Sequence, residues 1–185
     1  MILKEYDFNL PVRQNGKPLD ISARLNSENM LRLNPHWNFK KLITDQDGFS
    51  AEIVDHATDK EFSLKGSLQH ISPQDISLTL ENGDITSIRI SPDGDTFKAC
   101  VTYRTEQIDE TVEYFVIMWL RSIKQYLRLY HKRTINTLFF RFLMNRIILT
   151  MNPSQRKICL MLIRLTVLEV IVIVLIIAGY FFFRE

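Results

Sequence analysis

The feature that most constrains this chain is the run LTVLEVIVIVLIIAGYFFF, residues 165–183, which carries a single charge. Nineteen residues of α-helix are about 28 Å long. That is close to the roughly 30 Å of hydrocarbon in a bilayer. Leucine and β-branched residues cover every face of the run, which suits lipid better than the one-sided burial of a core helix. Asn152-Pro153 supplies an N-cap residue with proline in the first turn. A helix is therefore expected over 153–185, with its first turns in the headgroup zone. Arg156, Lys157 and Arg164 precede the span, and only Arg184 and Glu185 follow it. Positive charge stays on the cytoplasmic side. The expectation is a tail-anchored, single-pass protein with its N-terminal part in the cytoplasm, in a bacterial inner membrane. Tyr180 to Phe183 would sit at the far interface, where aromatics are favoured.

Charge divides along the same line. Residues 1–113 hold 12 Lys+Arg against 19 Asp+Glu, a net of −7, and residues 114–185 hold 11 against 2, a net of +9. An acidic body suits water, and a basic, apolar tail suits anionic headgroups. Because the basic stretch runs into a span, membrane lipid is the expected partner and nucleic acid is not. Residues 132–152 carry Arg133, Arg141 and Arg146 and no acid, with Phe139, Phe142, Leu143, Ile147 and Met151 near helical spacing. Arg141 and Arg146, inside the apolar run, make this a poor span, and it reads as a basic amphipathic interfacial helix. The same pattern would also serve packing on the body or on a partner subunit. Arg133, Arg141, Arg146, Arg156 and Lys157 are the candidate membrane-surface residues. Arg164 and Glu169 are the candidate intramembrane ionisable pair. Such groups are costly in lipid, and Glu169 is shallow enough to pair with Arg164 or reach headgroup water.

The body, residues 1–131, reads as strands. The runs HWNFKKLI, GFSAEIVDH, KEFSLKGSLQH, DISLTLE, DITSIRIS and DTFKACVTYR are each bounded by Gly, Asn, Asp or Pro clusters. Their spacing of about ten residues indicates an antiparallel meander and not βαβ crossovers. LKEYDFNLPV supplies an earlier strand. From Thr111 to His131, Val112, Val116, Trp119, Leu120, Ile123, Leu127 and Tyr130 form a helical stripe, with Asp109, Glu110 and Glu113 at its N-terminus. Tyr114, Phe115, Ile117 and Met118 make the first half of this helix apolar nearly all round, so it is expected to be buried inside the curve of a sheet.

This order resembles the START-like, or SRPBCC, helix-grip superfamily. Its members include polyketide cyclase-like and coenzyme Q-binding proteins. PLDISARLNSENMLRLNPHWNFKKL looks like that superfamily's two-helix segment leading into the second strand, and WLRSIKQYLRLY is similar to the end of its long helix. The resemblance implies an α+β fold, a curved antiparallel sheet of about seven strands around a long helix. Here it would be followed by the amphipathic helix and one transmembrane helix. It also implies a cavity for a lipid, quinone, sterol or polyketide between sheet and helix. Trp37, Phe39, Phe97, Tyr103, Tyr114, Phe115 and Trp119 are the candidate lining residues. The competing reading is that these aromatics simply fill the core.

Chemistry is harder to find. His36, His56, His70 and His131 are scattered without metal-ligand spacing, and no GxSxG, P-loop or GxGxxG occurs. His36, in NPHW, reads as a turn or strand-start residue. No catalytic residue and no cofactor is expected, beyond a bound lipid or quinone. Cys100 and Cys159 show no pairing motif, which fits a reducing compartment. The reading is a membrane-anchored carrier or binding module for a hydrophobic ligand. The alternatives are an accessory subunit docked on integral membrane proteins and a cyclase-like enzyme on an apolar substrate.

Overall fold

The computed structural model describes residues 1–14, 17–45, 48–131 and 135–182, without the side chains of Gln14, His131, Ile135, Asn136, Lys157, Leu160, Ala178, Phe181 and Phe182. Two compact units are present, Met1–Thr150 and Met151–Glu185.

In the first unit the meander forms as its alternation predicts. The strands are β1 (Ile2–Pro11), the short pair β2 (Arg13–Gln14) and β3 (Lys17–Pro18), then β4 (Trp37–Thr44), β5 (Phe49–Asp55), β6 (Lys60–Ser72), β7 (Asp75–Leu80), β8 (Ile85–Asp93) and β9 (Thr96–Tyr103). Seven of them make one antiparallel sheet in the order β1-β9-β8-β7-β6-β5-β4. Side chains alternate between faces with period two. On β9 that sends Phe97, Ala99, Val101 and Tyr103 into the core, and on β7 Ile76, Leu78 and Leu80. Register shifts interrupt β1 after Asp7, β4 after Phe39, β6 after His70 and β8 after Ile85. Such bulges bend and twist strands, which lets the sheet curve. Gly66 sits where β6 meets β7, and a Cβ there would lie 2.0 Å from the Thr79 carbonyl oxygen. No other residue fits that approach.

The long helix α2 (Glu110–His131) lies in the grip of this sheet. Val116, Trp119, Leu120, Ile123, Tyr126 and Leu127 of α2 are buried in one cluster with the inward residues of the strands. The stripe differs from expectation at its ends, where Val112 and Tyr130 are only partly buried, and Tyr126 joins it. The first half of α2 is not encircled, since Tyr114 remains exposed. A sheet covers one side of a helix, and the apolar excess on the other side stays at the surface.

Between β3 and β4 there is one short helix, α1 (Ser27–Arg32), where two were expected. Asn26 caps it, its side-chain oxygen accepting from Asn29 N–H at 2.7 Å. The would-be first helix is a turn instead. Asp20 Oδ1 accepts from the Ser22 hydroxyl and Ala23 N–H, and Ile21 N–H donates to the Pro73 carbonyl. These side-chain and long-range bonds take backbone groups that a helix would have used.

Residues 135–150 belong to this first unit. The segment splits into α3 (Ile135–Leu143) and a wide π-type turn, Met144–Ile148, closed by Leu149 N–H on the Met144 carbonyl at 3.0 Å. Leu143, Ile148 and Leu149 are buried, while Leu138, Phe139, Phe140 and Phe142 are exposed.

The second unit is one helix, α4 (Pro153–Phe182). Its start is a reciprocal capping box. Asn152 Oδ1 accepts from Gln155 N–H at 2.8 Å, and Gln155 Oε1 accepts from Asn152 N–H at 3.2 Å. Pro153–Ile177 is long and apolar enough to cross a membrane, and none of its most apolar 18 residues is buried.

Candidate functional site

A cavity of about 310 Å³ opens between the sheet and the first half of α2. Strands β4, β5 and β6 reach it with Trp37, Asp55, Phe62, Ser63 and Leu64. Leu80, Ile85 and the turn Asn82-Gly83-Asp84 reach it from β7 and β8. Helix α2 contributes Val112, Phe115, Val116 and Trp119, one helical face at i, i+3, i+4 and i+7. Asn34 and His36 close it from the α1–β4 connection.

The deep wall is apolar and aromatic. Trp119 and Trp37 have ring centroids 4.9 Å apart, and Trp37 meets Phe62 edge-on at 5.9 Å. Trp119 is fixed by a second tie, since its Nε1–H donates to the Met30 carbonyl at 2.8 Å. That carbonyl lies in the last turn of α1, where helices run out of backbone donors. His36 packs on Phe115 with centroids 4.8 Å apart. Its N–H donates to Asn34 Oδ1 at 3.0 Å, and its carbonyl accepts from His56 N–H. His36 thus sits just ahead of β4, and Asn34 is the buried polar side chain of the lining. The lip is polar and acidic. Asp55 Oδ1 accepts from Ala57 N–H at 2.8 Å, and Asp84 is exposed on a turn where Gly83 takes φ +100°.

Of the seven aromatics singled out by sequence, the cavity brings together Trp37, Phe115 and Trp119. Phe39 lies outside it, under the Arg32 guanidinium at 5.6 Å. Phe97 and Tyr103 are fully buried core, and Tyr114 is exposed. Tyr103 belongs to a separate polar chain. Its hydroxyl is 2.8 Å from that of Tyr6, which also approaches Glu113 Oε1 at 3.4 Å, and Glu113 pairs with Lys4. Burial pushes the Tyr103 and Tyr6 phenols above their ordinary range, and the Glu113 hydrogen bond pushes Lys4 up. Sequence reasoning missed Phe62, Leu64, Leu80, Ile85 and the acidic lip. Their signal was register, because the end of β5 and the β7–β8 turn fall at one end of the sheet, level with the start of α2.

A larger hollow of about 490 Å³ lies among Val12, Arg13, Gln74, Pro92 and Asp95. Its walls are turns and polar side chains without aromatic lining. Among the described residues no group of three or more His, Cys, Asp or Glu could hold a metal.

The basic residues divide by environment. Arg141 Nε donates to the Leu129 carbonyl at 2.8 Å, with its guanidinium 4.7 Å from the Tyr130 ring centroid. Arg146 is exposed. Arg156 Nε donates to the Met151 carbonyl at 2.9 Å. Arg133 and the side chain of Lys157 lie outside the described residues. Arg164 and Glu169 are both exposed on α4. Five positions place them roughly 140° apart around the helix, on different faces.

No family model matches the chain, and no curated protein does. Among solved structures the chain is similar to an AHSA1-like protein from Aeromonas hydrophila, at 12% identity and a TM-score of 0.41, covering 72% of this chain and 97% of that one. It is also similar to a protein of Cytophaga hutchinsonii, at 18% identity and a TM-score of 0.36, covering 56% of this chain and 78% of that one. The fold stands on the chain's own strand order and gripped helix, and the site on its own geometry.

Proposed function

We propose that this protein is a membrane-anchored binding or carrier module for a hydrophobic ligand, a lipid or a quinone, at the cytoplasmic membrane surface. The observation that carries the reading is the tryptophan-walled cavity between α2 and the sheet, in a chain that also holds one helix able to span a bilayer. Pockets of this type, apolar with a few polar groups at the rim, are the usual form of small-molecule sites. An anchor would hold the mouth at high effective concentration near a membrane-dissolved ligand. The exposed Leu138, Phe139 and Phe142 on α3, with Arg146 nearby, suit contact with anionic headgroups and the acyl boundary. Organic extraction of the purified full chain, followed by mass spectrometry, tests the proposal. A lipid or quinone at near-stoichiometric yield is expected. A chain that neither carries nor accepts one would refute it.

Glu169 favours a second reading, an accessory subunit of a larger membrane complex. A carboxylate on an otherwise apolar span is costly unless a neighbouring helix answers it. Purification in mild detergent separates the readings, since an obligate subunit co-migrates with partner proteins and a lone carrier does not.

A further inference from the structure

We propose that the cavity accepts the apolar part of a neutral or cationic amphiphile and discriminates against an anionic one. The proposal rests on the cavity-binding reading above and adds the ligand's charge class.

Size sets the first limit. A cavity of about 310 Å³ is roughly twice the 150 Å³ that accommodates benzene, so it holds on the order of a dozen non-hydrogen atoms. A longer ligand would leave its head at the lip. Charge sets the second limit. The lining includes the carboxylates Asp55 and Asp84 and neither lysine nor arginine. Of the cations near the lip, Lys60 stands opposite Asp55 in the β5–β6 register but is exposed and outside the lining, and two others are committed elsewhere. Arg104 braces the same turn, with its guanidinium on the Glu81 carbonyl and its N–H on the Asp84 carbonyl. Lys40 is paired with Glu61.

One feature could oppose this, because the start of α2 lies beside the mouth and a helix N-terminus attracts anions. That end is already answered by Asp109, whose Oδ1 accepts from Thr111 N–H at 2.7 Å. An anionic head at the lip would therefore meet two carboxylates in a lining that holds neither lysine nor arginine. An ammonium would meet both carboxylates and lie near the electron-rich faces of Trp37 and Phe115.

The chain supplies its own reporter. Its two tryptophans are Trp37 and Trp119, and both line the cavity. The full chain in an uncharged detergent is titrated with 4-phenylbutylamine, 4-phenylbutanol and 4-phenylbutyrate while tryptophan emission is followed. All three titrations are run at one pH of about 8, where the amine is cationic and the carboxylate anionic. The expected result is saturable binding of amine and alcohol, with the amine about tenfold or more tighter than the carboxylate, as partly screened charge pairs would give. Asp55→Asn combined with Asp84→Asn should bring the amine and carboxylate within about twofold of each other. If the double variant loses its far-UV dichroism, Asp84→Asn alone, on the exposed turn, is read instead and should narrow the ratio. Equal or tighter binding of the carboxylate by the native chain overturns the proposal, as does a ratio that survives the variants. Saturable alcohol binding with no charge preference refutes only the charge class. Absence of saturable binding by all three probes refutes the cavity reading itself.

Discussion

Replacing Trp119 with phenylalanine probes the joint between α1, α2 and the cavity. The indole is 1% exposed, and its N–H is the donor that Met30 receives at the end of α1. Phe keeps a ring against Trp37 but has no donor. A buried carbonyl left without a partner costs about 1–3 kcal/mol. The smaller ring also enlarges the hollow beside it, at roughly 24 cal/mol per Å³ of added void. A total loss of about 2–4 kcal/mol is expected, a large share of a typical stability of about 5–15 kcal/mol. Urea unfolding of the full chain in detergent, followed by far-UV dichroism, measures the loss as a shift in midpoint at constant slope. Hydrogen exchange should show residues 26–33 losing protection before the strands do, because α1 is released first. A loss below about 0.5 kcal/mol would mean that the indole is not holding α1, and the geometry described for the cavity wall would be wrong.

Further outcomes follow from other parts of the structure. Gly66→Ala puts a Cβ 2.0 Å from the Thr79 carbonyl oxygen and 2.9 Å from the Phe49 ring, so folded yield should collapse; unchanged yield and dichroism would rule out the β6–β7 register. Tyr103 and Tyr126 have folded values raised, chiefly by burial, so their contribution is intact below the unfolded phenol value of about 10 and is lost as pH rises through the folded values. Absorbance at about 295 nm should therefore show these phenols ionising only together with alkaline unfolding, and early ionisation of every tyrosine in the folded chain would contradict the burial. Asp109 is lowered by the Thr111 N–H hydrogen bond, so its stabilisation is present above the unfolded value of about 4 and fades as pH falls through the folded one; Asp109→Asn should flatten that acid dependence, and an unchanged acid profile would show that the cap is not formed. Phe142→Trp, reconstituted in vesicles with brominated acyl chains, should add a strongly quenched emission component if α3 enters the interface, and an unquenched component would place that face in water.

Much of the fold was legible in the sequence, for reasons of period. Alternation places a side chain on one face of a strand whatever the neighbours are, so all seven strands of the sheet and α2 fell close to where the residues put them. Turn chemistry did the same for the β7–β8 and β8–β9 connections, and Asn152-Pro153 for the start of α4. What failed was decided by distant partners. Ile21 is held by Pro73, fifty-two residues away, so a helix-like stretch became a turn. The basic segment after α2 was read as lying on lipid or as packing on the body or a partner, and Leu143, Ile148 and Leu149 are buried in the first unit while Leu138, Phe139 and Phe142 face outward. A periodic pattern shows that an apolar surface exists but cannot say what meets it. Within the site, composition picked out large aromatics without regard to depth. Phe97 and Tyr103 proved to be core, while the small and acidic contributors at strand ends required the register to be known.

The most direct measurement compares ligand content in the native chain and in Val116→Phe, each purified in full length under one protocol and extracted for mass spectrometry. Val116 is 2% exposed and lines the cavity. The added ring would grow into empty space, so the overpacking cost of about 1–3 kcal/mol should be partly relieved and the fold retained. A hydrophobic ligand present in the native chain and largely lost from a variant with native dichroism would support a cavity that binds. Equal ligand content in the two proteins, or none in either, would contradict it.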